Sequence, residues 1–215
     1  MPAQAPAEGF ASRIARTLAA FSLDATLEVK AKLAAYCELV VAWNQRVDLT
    51  AARSADELVD LLLADAIAIA GALPCRAGER WLDVGSGVGA PGIPLALLLP
   101  MRMTLVEPRD KRVAFLRSAV GSLARPDITV SRMRSDRFVN ASAEVAISRA
   151  TLPPEQWLAE GSRLATERVW LLLARAELPE IGGRRVLADV RYRWPLTLAE
   201  RRAVCVSAGE SPVAA

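Results

Sequence analysis

Histidine is absent from this 215-residue chain. Without an imidazole, His-dependent catalytic triads and histidine metal sites are excluded at once. Cysteine is scarce: Cys37, Cys75 and Cys205 are widely spaced and form no Cys-x-x-Cys pair. That pattern supports neither a disulfide framework nor a zinc site, so no metal is expected and the expected location is a reducing cytoplasm. Lysine is also rare, and Lys30, Lys32 and Lys111 leave arginine to carry nearly all of the positive charge behind the net +3. Arginine suits bidentate phosphate contact and stacking on bases, although a GC-rich coding bias produces the same skew. Long apolar runs are missing as well. The most apolar stretch, residues 58–73, is interrupted by Asp60 and Asp65 and is too short to span a bilayer comfortably, so no membrane partner is expected. Residues 1–8 lack the basic region and apolar core of a secretory signal. No internal repeat, low-complexity tract or long linker divides the chain. What remains is an alanine- and leucine-rich sequence of ordinary charge content, long enough to bury a real core.

The most informative stretch is Trp81-Leu82-Asp83-Val84-Gly85-Ser86-Gly87-Val88-Gly89-Ala90-Pro91-Gly92-Ile93-Pro94. An apolar run ends in a carboxylate and turns through four close glycines, which reads as strand, turn, helix. Alternating glycines let a small molecule lie directly on the main chain. Gly87-x-Gly89-x-x-Gly92 matches a dinucleotide fingerprint, but two details favour another ligand. A dinucleotide places a pyrophosphate at the helix N-terminus, where Asp83 would repel it. S-adenosylmethionine has no phosphate and carries an ammonium and a sulfonium, so the same carboxylate attracts it. Pro91 and Pro94 delay or stiffen the start of the helix, which suits a loop wrapped around a ligand. A glycine-rich loop without a ligand, or a nicotinamide cofactor, remains an alternative at this point.

Before this stretch the chain reads as helices only: residues 10–21, then about 26–45 with Leu33, Tyr36, Val40 and Trp43 on one face, then a third running towards residue 73. Ser54-Ala55-Asp56-Glu57 is a capping box that starts the third. An N-terminal helical extension over residues 1–78 is therefore expected to pack on a core of residues 79–215. From Trp81 strand and helix alternate, the signature of a doubly wound, mostly parallel α/β sheet. Strands are expected at 81–84, 103–107, 128–130, 145–147 and 169–173, with helices at 93–99, 111–123 and 154–165. Two further strands, 186–190 and 203–206, are expected as an antiparallel pair at one edge.

In open α/β sheets ligands lie beyond the carboxyl ends of the strands. Glu107 closes the second strand, where a carboxylate accepts hydrogen bonds from ribose hydroxyls, with a surface acid capping the helix at Asp110 to Arg112 as the alternative. After the third strand, Asp136 is expected on the adenine amino group and the Ser135 amide on a ring nitrogen, with a solvated loop as the alternative. Arg149 follows the fourth strand, and an arginine there is costly unless it meets an anion or stacks. It is taken as a substrate contact, with a structural ion pair as the alternative.

Trp43-Asn44 with Asp48-Leu49-Thr50-Ala51, Asp83-Val84-Gly85-Ser86-Gly87 leading to Pro91-Gly92-Ile93-Pro94, Lys111-Arg112-Val113-x-Phe115-Leu116 and Ser148-Arg149-Ala150 together resemble the bacterial 16S ribosomal RNA small-subunit methyltransferase G family. The likeness runs from about residue 36 to 206. It implies a Rossmann-like fold and transfer of a methyl group from S-adenosylmethionine to guanine N7 of 16S rRNA or a small-subunit precursor, with a monomer as one expectation. Mapped onto this chain, Asp83, Gly85, Ser86, Gly87, Gly89, Pro91, Gly92, Glu107, Ser135 and Asp136 form the expected cofactor set. Arg149 is the expected catalytic residue and, with Arg112, a substrate contact. Arg46, Arg53, Arg201 and Arg202 are candidates for an outer RNA surface. Leu62 stands where the family usually has histidine, Asp48 where it has asparagine, and Ala174-Arg175-Ala176 where it has Lys-Gly. A diverged enzyme with another nucleic acid or small-molecule acceptor, or a non-catalytic S-adenosylmethionine-binding protein, is the alternative.

Overall fold

The computed structural model describes residues 8–209, so all but Glu8 of the segment read as free of a secretory signal lies outside them. Helix α1 covers Phe10–Ala20 and α2 covers Leu27–Asn44, the latter opened by the Thr26 hydroxyl, which accepts from the Val29 amide at 3.3 Å. The capping box forms with one shift of partner. Ser54 Oγ accepts from the Glu57 amide at 3.1 Å, while the Glu57 carboxylate accepts from Arg53 rather than Ser54, at 2.8 Å. The helix that follows is continuous but not uniform: α3 is Ala55–Val59, Asp60–Ala64 widens into a π-helical segment, and α4 is Asp65–Ala70. It stops at Ala70, short of the expected residue 73, and Gly71 caps it. No helix among the described residues is long and apolar enough to cross a membrane.

The remainder alternates as the sequence pattern demands: β1 Arg80–Val84, α5 Gly92–Leu98, β2 Arg102–Val106, α6 Asp110–Ser122, β3 Ile128–Ser131, β4 Ala143–Ser148, α7 Pro154–Leu164, β5 Ala165–Leu173, β6 Val186–Arg193 and β7 Glu200–Ser207. The strands form one sheet in the order β3-β2-β1-β4-β5-β7-β6, with β1 to β5 parallel and β7 antiparallel to both neighbours. β5 begins directly where α7 ends, four residues before expected, because Ala165 already pairs with Ala143. The β6–β7 pair is longer than its apolar cores imply, since polar and charged residues continue the ladder as far as Arg193 opposite Glu200.

Winding reverses between β1 and β4, so crossovers fall on opposite faces. α5 and α6 cover one face and α7 the other. The N-terminal helices fill the space beside α5, so a single apolar cluster runs from Ile14, Tyr36 and Ile67 through Phe115 to Trp81, Ile147 and Cys205. Trp157 and Leu164 of α7 cover the opposite face against Leu82, Val169 and Val206. The gap between the carboxyl ends of β1 and β4 is the switch point where open sheets bind ligands.

Candidate active site

The glycine loop leaves β1 at Val84 and folds back on β2, with the Gly85 and Ser86 amides donating to the Val106 carbonyl at 2.8 and 3.1 Å. Gly85 has φ +69°, and a Cβ there would collide with Thr151 Oγ1, so only glycine satisfies both the turn and the close approach of the loop after β4. Glu107, at the end of β2, holds the loop from the other side. One carboxylate oxygen accepts from the Gly87 amide at 2.9 Å and the other from the Arg109 amide at 3.0 Å. Tyr36 of α2 donates its hydroxyl to the Val88 carbonyl at 2.8 Å, which ties the N-terminal helices to the same loop.

A cavity of about 470 Å³ opens over this loop, within the range of small-molecule sites. Its walls are Gly85, Ser86, Gly87, Glu107, Arg112 and Arg149, all expected at the site, together with the segment Leu49–Ala51. That segment belongs to the sequence resemblance but not to the expected cofactor set. Asn44 shapes it: its side-chain oxygen accepts from the Leu49 and Thr50 amides at 2.9 and 3.0 Å, and its amide donates to the Thr50 carbonyl at 3.1 Å.

The other expected cofactor residues do not line the cavity. Asp83 is 1% exposed and turned back beneath the loop, where Oδ2 accepts from the Gly92 amide at 3.0 Å. Gly92 must be glycine for this reason, since a Cβ would lie 2.6 Å from both Asp83 Oδ2 and Leu105 Cδ2. Asp83 is therefore a core residue rather than an open strand-end charge, and it anchors the loop instead of facing its contents. Gly89 and Pro91 also sit behind the wall, Gly89 packed against Ile93 and Leu116. Ser135 and Asp136 are carried elsewhere by a 3₁₀ turn: the Ser135 carbonyl accepts from Arg163 of α7 at 2.7 Å, and Asp136 pairs with Arg134 at 3.2 Å.

Burial pushes the Asp83 carboxyl up to about 7, against the pull of the Gly92 amide and Arg149 and with the help of Glu107. A carboxyl whose folded value lies above its unfolded value near 4 stabilises the fold fully below about pH 4 and loses that contribution as pH rises to about 7. Asp83→Asn keeps an acceptor for Gly92 without a charge to bury. The variant's thermal midpoint is expected to rise relative to wild type between about pH 4 and pH 7; a pH-independent difference between the two would show that Asp83 does not titrate in this range.

A second cavity of about 350 Å³ adjoins the first, and Leu61, Arg149 and Ala150 belong to both walls. Trp157, Leu171, Leu173, Tyr192 and Trp194 make it mostly apolar. Arg149 stands at the junction, held by an ion pair from Nη1 to Asp65 Oδ2 at 3.3 Å and a hydrogen bond from Nη1 to the Leu61 carbonyl. The ion pair considered as the alternative for Arg149 is present, and it holds the guanidinium at the boundary of the two cavities. Asp65, 3% exposed, also accepts from the Tyr192 hydroxyl and the Trp194 indole, each at 2.8 Å. Asp60, fully buried, accepts from the Leu196 and Thr197 amides and the Thr197 hydroxyl at 2.7 to 3.1 Å through Oδ2. Sequence reasoning took both aspartates only as interruptions of an apolar run. Two carboxylates five residues apart in an otherwise buried helix were the available signal, because such groups persist only with donors. Of the outer arginines, Arg201 stacks 3.8 Å over the Trp194 ring and Arg202 pairs with Asp189 at 2.7 Å, while Arg46 lines a groove with Arg109 and Arg112 and Arg53 one with Asn44 and Thr50.

A family model described as rRNA small subunit methyltransferase G matches residues 29–183. The ribosomal RNA small subunit methyltransferase G of Dichelobacter nodosus is 36% identical over 168 residues, covering 77% of this chain and 79% of that one. Its counterpart in Pseudomonas paraeruginosa is 41% identical over 119 residues, 54% of this chain, and that match spans about half of the relative's length, 53%. Among solved structures, a mutant of MtNAS in complex with S-adenosylmethionine superposes with a TM-score of 0.54 at 15% identity, over 94% of this chain and 73% of that one. That likeness is one of fold, a Rossmann-like α/β sheet.

Proposed function

The chain belongs to the rRNA small subunit methyltransferase G family, and on that footing we propose that it transfers the methyl group of S-adenosylmethionine to guanine N7 of 16S rRNA. The observation that carries this reading is the pair of cavities meeting at Arg149. The first fits the cofactor: a backbone-lined glycine loop, a carboxylate whose oxygens keep spare lone pairs for ribose hydroxyls, and sufficient volume. Bound there, S-adenosylmethionine supplies an electrophilic methyl group on a sulfonium. The second cavity takes the acceptor base, whose flat apolar faces suit Trp194, Tyr192 and the aliphatic ends of β5. Asp83 acts from beneath the loop by fixing Gly92.

Guanine N7 offers a lone pair and no proton, so no general base is required of a chain without histidine. The residues have to align two reactants and keep water out, a gain from proximity and orientation. Arg149 spends Nη1 on Asp65 and Leu61, which leaves its other N–H donors for the acceptor at the junction.

Calorimetric titration with S-adenosylmethionine and methyl transfer to unmethylated 16S rRNA test the reading together. Arg149→Gln is expected to bind the cofactor within a few-fold of wild type and to turn over about 100-fold more slowly. Failure of the wild-type protein to bind S-adenosylmethionine, with or without rRNA, would overturn the reading. Loss of cofactor affinity in the variant would move Arg149 into the cofactor site.

A further inference from the structure

Beside the acceptor cavity lies a groove of about 530 Å³ that shares Tyr192, Arg201 and Arg202 with it. Five arginines line this groove against two glutamates, Glu177 and Glu200. The arrangement breaks a rule of strand pairing. Arg191 of β6 stands directly opposite Arg202 of β7, and like charges at opposed positions destabilise a sheet. Arg202 pairs with Asp189 and Arg193 with Glu200, but Arg191 is exposed, has no carboxylate within ion-pair distance among the described residues and shares only the longer-range attraction of Asp189, and Arg175 at the end of β5 is likewise without an ion pair there. Sites that violate a local rule with only partial compensation within the fold are where function is to be sought.

We infer that this groove carries the phosphodiester backbone of the RNA strand whose base enters the acceptor cavity, with Arg175 and Arg191 as its free phosphate contacts. The inference rests on the acceptor reading given above. Arg191 and Arg193 are two positions apart on one strand face, about 7 Å along the strand, a spacing that successive phosphates of a single strand can match. Arg201, stacked on Trp194, forms the lip between cavity and groove, so a strand leaving the base pocket passes over it. A phosphate over Arg191 also adds a counter-charge to a pair of arginines that otherwise shares the one carboxylate of Asp189.

Affinity for a fluorescently labelled, unmethylated 16S rRNA transcript, measured over a series of potassium chloride concentrations with the full chain, tests this. Each lost phosphate contact is expected to flatten the slope of log K against log salt by roughly 0.7. The Arg175→Gln/Arg191→Gln double variant should therefore flatten it by about 1.4 and bind about tenfold or more weakly at low salt. Its S-adenosylmethionine affinity should match wild type, and its thermal midpoint should hold or rise, since one of a like-charged pair is gone. An unchanged salt slope, in a wild-type protein that binds the cofactor and methylates the transcript, overturns the inference and leaves the function standing. A lowered thermal midpoint would assign Arg191 to the fold and overturn it equally. Absence of cofactor binding in wild type is the separate result that removes the function itself.

Discussion

Asp65→Ala is expected to cost about 3–5 kcal/mol of folding stability, the range seen when one partner of a buried ion pair is removed. Three donors converge on this carboxylate: Arg149, the Tyr192 hydroxyl and the Trp194 indole. Truncation leaves a guanidinium without its counter-charge and two donors without an acceptor, each in a place water reaches poorly. Chemical denaturation should show the midpoint falling with an unchanged slope, as for a loss of native stability alone. Asp65→Asn separates the contributions, because it can still accept from Tyr192 or Trp194 but cannot balance Arg149. A stability within about 1 kcal/mol of wild type for Asp65→Ala, small on the scale of buried-pair losses, would mean that water or a shifted Arg149 satisfies the site. Methyl transfer should fall in both variants, since Arg149 loses its fixed position at the junction.

Glu107→Ala is expected to weaken S-adenosylmethionine binding by about 100-fold or more, and to lower stability as well, since the Gly87 and Arg109 amides lose their acceptor. The estimate follows from hydrogen bonds to a charged group, about 1.5–3 kcal/mol each, with about 1.4 kcal/mol per tenfold change in affinity. Glu107 has two tasks in one place. It holds the Gly87 and Arg109 amides, and its carboxylate forms part of the cavity wall where ribose hydroxyls are expected. Glu107→Gln keeps one acceptor oxygen and should fall between the two. Calorimetric titration decides the matter, and an affinity within threefold of wild type for the alanine variant would take the ribose role from this residue.

The parts of the site legible in the sequence are those made by near neighbours. Gly85, Ser86 and Gly87 line the cavity because the loop that carries them must turn where β1 ends, and Glu107 faces it because β2 ends beside β1. What was not legible depends on which way a side chain turns once distant chain arrives. Asp83 reads as an open strand-end charge, yet Gly92 returns over it and encloses it. Arg149 reads as a substrate contact or one half of an ion pair, but nothing near it in sequence names the partner, which is 84 residues away on a largely apolar helix. Ser135 and Asp136 follow β3 as expected, but β3 is the outermost strand on its side and Arg163 draws the next turn towards α7. The segment Leu49–Ala51 carries no motif of its own chemistry; its place in the wall is set by Asn44, the last residue of α2.

The two buried aspartates also order events in time. Asp65 meets Tyr192 across 127 residues, and Asp60 meets Thr197 across 137. A ribosome making this chain releases the helix that bears both carboxylates long before it makes the donors at 192–197, and a domain generally folds as a unit. Until residues 192–197 are out, Asp60 lacks its three donors and Asp65 has Arg149 alone. The glycine loop is tied by nearer contacts, Gly92 to Asp83 across 9 residues and Gly87 to Glu107 across 20. In order of synthesis the anchors of that loop therefore come well before Tyr192 and Trp194, which complete the wall of the second cavity.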